Sequence, residues 1–480
     1  MKNISEKNSG VTPTVIVVFG TTGDLSRRKL IPALLDLYVK GFMPEKFSIV
    51  GFSRKEMSDD EYRQFAKDAI NEKKHEHKED VVDDFLKHLS YETGSFGNID
   101  TYGDLARHLA GVDDIWGVCS NKLFYLAVPP SLYDVIFENL ANSGLTVPCG
   151  GGAGWTRVLV EKPFGKDLKT AQELDKKLGL LFKEEQIFRI DHYLAKETIQ
   201  NILSFRFSNL LFEPVWNNQY IEKVEIKLYE TLGVGSRGAF YDDIGAIRDV
   251  GQNHILQMLS FVAMDNPGKL DSVAIRQNRA RVLGSLRPID VNNLTESIVV
   301  GQYDGFLEEP KVSRDSKTET YFKMKVFIDN DRWKGVPFYL ESGKKLKEKK
   351  TQISVYFKKT PTCVCPEKEE GHTHQNILTF DIQPNEGISV RFWAKKPGLN
   401  IELESKNLSF SYKHSTDGAM RLPDAYEKVL FDCIKGDQIL FTSTEEVSYS
   451  WKFITPIIEN LKNIKIHIYK QGSDGPNVAL

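Results

Sequence analysis

Short apolar runs separated by helical patterns fill the first part of the chain. The run TVIVVF at 14–19 is continuous and β-branched and ends at a glycine, which is typical of a strand covered on both faces. Apolar residues then recur at helical spacing over 30–38, and FSIVGFSR predicts a second strand. Further buried runs lie at 123–130 and 157–165. The alternation predicts an α/β, doubly wound, Rossmann-like domain with a parallel sheet over 1–190.

The pattern changes to alternating apolar and polar residues beyond residue 200. Six segments show it: YIEKVEIKLYET, ESIVVGQYDGF, TYFKMKVFIDN, TQISVYFKK, NILTFDIQPNEGISVRFWAK and LSFSYKH. Period-two alternation predicts strands of a large, mainly antiparallel sheet. Helical patterns occur around 241–264 and 423–436, so the larger domain over 191–480 is predicted to be α+β.

Composition and charge narrow the classes of partner. The 480 residues are 41% hydrophobic and carry a net charge of −3, which argues against a nucleic-acid-coating protein. No run approaches the roughly 18 apolar residues that a membrane span needs. The N-terminal sequence MKNISEKNSG has no secretory pattern, so we expect the cytoplasm. The five cysteines are sparse and odd in number, and we expect reduced thiols.

A glycine turn follows the first predicted strand. It reads Gly20-Thr21-Thr22-Gly23-Asp24-Leu25 and lies where dinucleotide-binding domains place a pyrophosphate on a helix N-terminus. Taken alone it is equally typical of an ordinary tight turn. The cations of Ser26-Arg27-Arg28-Lys29 are unfavourable in a first helical turn unless an anion is near, although a solvated basic face is the alternative.

Two further residues mark strand ends in this half. Arg54 ends the second predicted strand where NAD-specific domains usually carry an acidic residue, so a 2′-phosphate and NADP are favoured over NAD. Lys162 precedes Pro163 at the end of another strand, where a cis bond can orient it and where open α/β sheets bind ligands. The alternative for Lys162 is a surface lysine in a turn.

The stretch RIDHYLAKE indicates an anion site. If Asp191 caps a helix that begins at His192, then His192 and Lys196 lie at i and i+4 on one face at the positive end of that helix. Such a pair suits a phosphate dianion. Solvation, with Glu197 as counter-ion, is the alternative.

Other polar groups are ambiguous from pattern alone. His254 lies between Val250 and Met258, and a histidine flanked in this way is more often a hydrogen-bonded core residue. The unperturbed pKa of histidine nevertheless suits a general base, and Asp249 lies close by in the sequence. The basic run at 343–350 is most often a solvated loop.

A metal site is not expected. The candidate metal donors are irregularly spaced in a charged loop. Separately, the glycine-rich segment CGGGAG at 149–154 is interpreted as a connector and not as a phosphate-binding loop. The donors are Cys363, Cys365, His372 and His374.

Several of these motifs occur together and in order along nearly the whole chain. They are GTTGDLSRRK, GFSR, EKPFG, RIDHYLAKE, DVGQNH, GKKLKEK, QPNEGI and LPDAYEKVLFDCIKGDQILF. In this the sequence resembles the glucose-6-phosphate dehydrogenase family. The resemblance implies oxidation of glucose 6-phosphate at C1 by hydride transfer to NADP, giving 6-phosphoglucono-1,5-lactone. It also implies a homodimer or homotetramer formed through the sheet of the C-terminal domain.

The resemblance also implies roles for single residues. Asp191 and His254 would form a dyad in which His254 removes the proton of the C1 hydroxyl. His192, Tyr193 and Lys196 would hold the substrate phosphate, and Lys162 would contact both substrate and cofactor. The remaining residues that would bind the sugar or its phosphate are Glu230, Asp249, Lys344 and Lys349.

Some residues depart from the family pattern, and others argue against alternative functions. Glu341 occupies the place where many members have Arg, and Asp381 and Ser389 replace residues that some eukaryotic members use for a second, structural NADP, so we expect no such second site. A Rossmann oxidoreductase of unphosphorylated sugars would lack RIDHYLAKE. A catalytically silent NADP-binding subunit would have lost Asp191 or His254, and both are present.

Overall fold

The computed structural model describes residues 12–73, 77–148, 154–359, 374–412 and 422–480. The chain divides into two compact units. Unit 1 comprises 1–165, 169–195 and 423–444, and unit 2 comprises 166–168, 196–422 and 445–480.

A seven-stranded sheet forms the centre of unit 1. Its order is β15-β6-β5-β4-β1-β2-β3, and all pairs are parallel except β15 with β6. The first six strands therefore have the 3-2-1-4-5-6 order of a dinucleotide-binding fold. The continuous apolar run of β1 is fully buried because helices cover both faces of such a sheet. The strands are β1 (Thr14–Phe19), β2 (Phe47–Ser53), β3 (Leu89–Thr93), β4 (Asn121–Leu126), β5 (Thr156–Val160), β6 (Ile187–Ile190) and β15 (Phe441–Thr442).

The helices of unit 1 begin and end at recognisable signals. Ser58 and Glu61 form a reciprocal capping box at the start of α2, and Gly117 ends α4 with a φ of 66°. The first helix after β1 begins as a π-helical segment, Ser26–Leu30. The α-helices are α1 (Ile31–Val39), α2 (Asp59–Glu72), α3 (Glu79–Leu86), α4 (Ile99–Trp116), α5 (Tyr133–Asn142), α6 (Leu168–Leu181) and α11 (Ala425–Lys435).

Unit 1 also contains a segment from late in the sequence. Residues 423–444 supply α11 and β15, and β15 pairs with β6. The guanidinium of Arg157 on β5 donates to the carbonyls of Cys433 and Ile434 at 2.6 and 2.8 Å, which satisfies carbonyls at the end of α11. This return differs from the expected single boundary at residue 190. Local patterns cannot show it because they do not record which sheet a late strand joins.

Unit 2 is built on a nine-stranded sheet. Its order is β14-β13-β12-β11-β7-β10-β9-β8-β16. Only β10 with β7 and β16 with β8 are parallel among its pairs. The strands are β7 (Ile221–Tyr229), β8 (Ile298–Tyr303), β9 (Tyr321–Val326), β10 (Phe338–Gly343), β11 (Lys350–Phe357), β12 (Ile377–Gln383), β13 (Gly387–Lys395), β14 (Leu403–Ser411) and β16 (Ile466–Tyr469).

Buried polar side chains close the end of one central helix of unit 2. The indole N–H groups of Trp216 and Trp333 donate to the carbonyls of Val262 and Ala263, each at 2.8 Å, at the end of α9. The helices of the unit are α7 (Glu197–Phe207), α8 (Gly238–Tyr241), the π-helical segment Ile247–Ile255, α9 (Leu256–Ala263), α10 (Ser272–Gly284) and α12 (Thr444–Asn460).

The predicted fold classes are confirmed, with some elements missed. The expected helix around 241–264 is the π-helical segment and α9, whereas α10 and α12 were not predicted. Among the described residues, no helix has the length and apolarity needed to cross a bilayer. Cys119 is disulfide-bonded, so the expectation of reduced thiols is wrong at this residue, while Cys433 is a buried free thiol.

Candidate functional site

The turn after β1 is shaped by two glycines. Gly20 has a φ of 76°, and a Cβ there would lie 2.6 Å from the carbonyl oxygen of Ala127, at the end of the neighbouring β4. Gly23 donates its N–H to the Gly20 carbonyl at 2.9 Å and is exposed together with Asp24. The turn therefore keeps its backbone close to the sheet and open outward, which is the geometry that a pyrophosphate requires.

The threonines of this turn fix it to its neighbours. The Thr21 hydroxyl lies 2.6 Å from the Tyr62 hydroxyl, and the Thr22 hydroxyl lies 3.0 Å from that of Ser53 at the end of β2. Leu25 precedes the π-helical segment in a helical conformation. The turn is thus preorganised by side chains from two other elements.

The three cations after the turn have carboxylate partners within unit 1. Arg27 Nε donates to Glu72 at 2.9 Å, Arg28 approaches Asp24 at 3.5 Å and Lys29 approaches Asp424 at 3.3 Å. The interpretation of these cations as a sign of a bound anion is therefore not needed. The pairs of Arg27 and Lys29 are long-range, so sequence spacing cannot reveal them, whereas Arg28 and Asp24 lie four residues apart.

Other predicted residues of unit 1 lie at the same edge of the sheet. Arg54 is exposed immediately after β2, with its guanidinium 6.0 Å from the centroid of the Phe96 ring. Lys162 follows β5 by two residues, and the Lys162–Pro163 peptide is cis. Because β1, β2, β5 and β6 are parallel, their carboxyl ends share one edge, where open α/β sheets bind ligands.

The segment after β6 is a turn rather than the start of a helix. Asp191 is buried, and its Oδ1 accepts from the Tyr193 N–H at 3.0 Å. The helix, α7, begins only at Glu197, with Lys196 as its N-cap in extended conformation. The prediction that His192 and Lys196 lie on one helical face is therefore wrong, because an Asx turn at Asp191 competes with the helix cap.

A cluster of tyrosines around Glu161 was missed by the motif analysis. Tyr125 donates to the Glu161 carboxylate at 2.6 Å, Tyr133 donates to its backbone carbonyl at 2.9 Å and Tyr426 also hydrogen bonds to the carboxylate. Burial raises the pKa of the Glu161 carboxyl to about 6, which these hydrogen bonds and the neighbouring Lys162 only partly oppose. The three tyrosines come from distant sequence positions, so spacing gave no signal.

Tyr426 also reaches His192. Their rings lie nearly parallel, with centroids 6.3 Å apart. The Lys29 ammonium lies 6.0 Å from the centroid of the Tyr426 ring. The returning helix α11 therefore supplies a side chain beside the carboxyl end of β6 in unit 1.

Lys344 is the centre of a charged group in unit 2. Its ammonium is ion-paired with Glu230 and lies 3.6 Å from Asp249. Lys344 follows β10 and Glu230 follows β7, and these two strands are parallel neighbours with Gly343 opposite Tyr229. The long-range register brings together three residues that lie far apart in sequence.

The register of the same sheet places Lys349 at this end. Lys350, the first residue of β11, lies opposite Tyr229, and Lys349 beside it is exposed. Thr351 of β11 lies opposite Gln383 at the end of β12. The basic run thus connects β10 to β11 at this end of the sheet, with Lys344 buried and residues 347–349 exposed.

Lys196 is connected to this edge by the turn between β12 and β13. Thr198 on the first turn of α7 donates its hydroxyl to the Asp381 carbonyl at 3.0 Å and its N–H to the Glu386 carboxylate at 3.4 Å. Burial raises the pKa of Glu386, and the positive charge of Lys196 opposes that shift. The start of α7 is therefore held beside the same end of the sheet.

His254 and Asp249 lie on the π-helical segment Ile247–Ile255. His254 is 1% exposed, and its backbone N–H donates to the Asn253 side chain at 2.6 Å. A π-helix is rare and often marks a functional site, because its wider turn displaces side chains from their α-helical positions. The pattern of sequence predicted the helix here but not its type.

The described ranges do not bring metal-binding side chains together. No group of three or more His, Cys, Asp or Glu side chains within the described ranges could hold an ion. Of the predicted donors, His374 is described, whereas Cys363, Cys365 and His372 lie outside the described residues, as does most of the CGGGAG connector.

The fold and these residues define a dinucleotide-dependent oxidoreductase, with a Rossmann-type unit and a second unit that brings lysines and carboxylates to one end of a large sheet. Two family models match the chain: "Glucose-6-phosphate dehydrogenase, NAD binding domain" over residues 17–201 and "Glucose-6-phosphate dehydrogenase, C-terminal domain" over 203–480. The chain belongs to the glucose-6-phosphate dehydrogenase family, and the resemblance inferred from its motifs is confirmed.

Individual relatives agree with this assignment. Glucose-6-phosphate 1-dehydrogenase of Chlamydia muridarum is 40% identical over 94% of this chain and 91% of its own length. The Bacillus subtilis enzyme of the same name is 40% identical over 96% of this chain and 95% of its own. A solved structure of a glucose-6-phosphate dehydrogenase in complex with its substrate has a TM-score of 0.89 at 34% identity, covering 97% of this chain and 95% of that one.

Proposed function

We propose that this chain oxidises glucose 6-phosphate at C1 with NADP and releases 6-phosphoglucono-1,5-lactone and NADPH. One observation carries the proposal: the two family models match residues 17–201 and 203–480 and so cover both units. Residues 1–190 are proposed to bind the nucleotide. Residues 191–480 are proposed to bind the sugar phosphate and to mediate oligomerisation.

The residues of unit 1 fit a phosphorylated dinucleotide. The open backbone of Gly20 and Gly23 can approach a pyrophosphate, and Thr21, Thr22, Asp24 and Leu25 complete the turn. The exposed guanidinium of Arg54 suits a 2′-phosphate because its donors form a planar fork. The nicotinamide ring, when bound, accepts the hydride from C1.

The proposed base is His254. A neutral imidazole can accept the proton of the C1 hydroxyl near neutral pH, and Asp191 is proposed to orient the ring and stabilise its cationic form. Both side chains are buried, at 1% and 3% exposure. Lys162, two residues after β5, is proposed to contact both ligands.

The substrate phosphate is proposed to bind the cationic residues around the turn after β6. His192, Tyr193 and Lys196 supply donors for a dianion, and such charge-assisted hydrogen bonds are stronger than neutral ones. Glu230 and Asp249 can accept from sugar hydroxyls. Lys344 and Lys349 add positive charge at the end of the sheet of unit 2.

The test is the appearance of reduced-nicotinamide absorbance with purified protein. NADP and NAD are each combined with glucose 6-phosphate, free glucose, other hexose 6-phosphates and fructose. We expect turnover with glucose 6-phosphate and NADP, and little with free sugars, because they leave the phosphate-binding cations unpaired. Preferential turnover of free sugars would instead identify an oxidoreductase of unphosphorylated sugars.

The assembly and location are also proposed. A homodimer or homotetramer through the sheet of unit 2 is supported by β14, which lies at the sheet edge and exposes Leu408 and Phe410 by 65% and 41%.

The cytoplasm is proposed as the location of the protein because a sugar phosphate and NADP are intracellular solutes.

A further inference from the structure

Glu319 is a buried carboxylate with no role in the family resemblance or in the function proposed above. It lies two residues before β9 and is 3% exposed. A buried carboxylate is costly unless hydrogen bonds or a nearby cation compensate it. The contacts of Glu319, all within unit 2, show which groups offset the cost of burying its carboxylate.

Glu319 closes the start of the helix that carries His254. The Ile247 N–H donates to Glu319 Oε1 at 3.0 Å, and the preceding Ala246 N–H donates to the Glu319 backbone carbonyl at 3.0 Å. Ala246 is itself helical and supplies no side-chain cap. Glu319 therefore satisfies two first-turn N–H groups from outside the helix, and its negative charge lies at the positive end of the helix dipole.

The backbone at Gly245 makes room for this carboxylate. Gly245 has a φ of 74°, and a Cβ at this position would lie 2.4 Å from Glu319 Oε1. Any other residue would be strained and would displace the carboxylate. The absence of a side chain at Gly245 thus provides the space that the Glu319 carboxylate occupies.

The next residue, Thr320, connects the segment that contains Glu319 to Lys344 by hydrogen bonds. The Lys344 N–H donates to the Thr320 carbonyl at 3.0 Å, and Tyr469 donates its hydroxyl to the Lys344 carbonyl at 2.7 Å. The Thr320 and Tyr469 hydroxyls lie 3.0 Å apart. The dipeptide 319–320 therefore holds both the π-helical segment and the lysine whose ammonium lies 3.6 Å from Asp249.

We propose that Glu319 is a positioning residue for the oxidation, which fixes the start of the π-helical segment and thereby the placement of Asp249 and His254. The inference rests on the proposed function. A π-helical segment can relax toward an α-helix, and a slip of one residue rotates every following side chain by about 100°. An external acceptor at Ile247 opposes that slip because the N–H would lose its partner.

The ionisation of Glu319 predicts a characteristic pH dependence of kcat. Burial raises the pKa of its carboxyl to about 7, and the Ile247 N–H, its own backbone N–H and the charge of Arg248 only partly oppose this. Tyr241 of α8 also faces it, donating its hydroxyl to the Glu319 carbonyl at 3.4 Å. The ionised carboxylate is the better acceptor, so the hydrogen bond from the Ile247 N–H to Glu319 strengthens as pH rises through about 7.

The test compares full-length Glu319→Gln, Glu319→Ala and Gly245→Ala with wild type and with Glu308→Gln, an exposed glutamate in the same unit. The kcat for glucose 6-phosphate and the KM for NADP are measured from about pH 6 to about pH 9. We expect Glu319→Gln to lower kcat about 3-fold to 10-fold, and the other two variants to lower it about 10-fold or more. The KM for NADP should stay within about 2-fold, since the nucleotide residues are in unit 1.

The pH profile separates positioning from a merely structural role. The ratio of wild-type to Glu319→Gln kcat should rise by about 3-fold between about pH 6 and about pH 8, because glutamine cannot ionise. An unchanged ratio, or kcat within about 2-fold of wild type in all variants even when their thermal stability falls, would overturn the proposal. A wild-type protein inactive on glucose 6-phosphate would instead contradict the proposed function.

Discussion

The positive φ angles at Gly20 and Gly117 show how the same backbone feature differs in consequence from residue to residue. Both glycines are left-handed, at 76° and 66°. A Cβ at Gly117 would meet nothing within 4 Å, whereas one at Gly20 would collide with the Ala127 carbonyl. Gly117 therefore serves only to end α4, while Gly20 also sets how closely the turn approaches β4.

We expect Gly20→Ala to be far more harmful than Gly117→Ala. The change at Gly117 should lower the free energy of unfolding by about 1 kcal/mol, from backbone strain alone. The change at Gly20 should lower it by about 3 kcal/mol or more and raise the KM for NADP, because the carbonyl must also move. Urea unfolding and initial rates measure the two effects. Equal losses in both variants would contradict this account of the turn.

The residue-level roles proposed for the base and the phosphate ligand predict opposite kinetic effects. His254→Asn should lower kcat about 100-fold or more with little change in the KM for glucose 6-phosphate. Lys196→Ala should mainly raise that KM, since it removes a binding charge. Lys334→Ala removes an exposed lysine four residues before β10, away from the carboxyl end of that strand, and is the control. Near-normal kcat in His254→Asn would refute the assignment of the base.

At the scale of elements, helices α10 and α12 are joined by an ion pair that is entirely buried. Arg279 Nε lies 2.8 Å from Glu446 Oε1, and both side chains are 0% exposed. The Arg279 guanidinium also lies 4.9 Å from the centroid of the Phe261 ring on α9. Each charge depends on the other, because removing one leaves the second uncompensated in a medium of low polarity.

We expect Arg279→Met or Glu446→Leu alone to lower the free energy of unfolding by about 3–5 kcal/mol. The double variant Arg279→Met/Glu446→Leu should recover most of that loss, because no lone charge remains. Urea unfolding of the three variants and wild type completes the double-mutant cycle. Additive losses in the double variant would show that packing, not charge pairing, dominates here.

At the scale of the whole molecule, the proposed oligomer depends on the outer strand of the sheet of unit 2. We expect Leu408→Asp and Phe410→Asp to shift the protein toward monomer, because each places a charge on the exposed apolar surface of β14. Ile115→Asp alters a comparably apolar residue, 84% exposed on α4 of unit 1, and should leave the assembly unchanged. Light scattering coupled to size-exclusion chromatography gives the masses. Unchanged assembly in both β14 variants would place the interface elsewhere.

The sequence by itself determined the features that depend on neighbouring residues. The apolar run of β1, the glycine turn and the alternation of the strands of unit 2 are local, so the fold classes and the nucleotide motif could be predicted. The ordered set of motifs also identified the family and the candidate residues before any geometry was known.

Only the tertiary structure decided the features that depend on distant residues. The ion pairs of Arg27 and Lys29, the tyrosines around Glu161 and the cap that Glu319 provides join positions far apart in sequence. The turn at Asp191 shows the same limit on a smaller scale, since an aspartate can start a helix or close an Asx turn. Which of these forms depends on the long-range packing around the residue, and no local pattern encodes that packing.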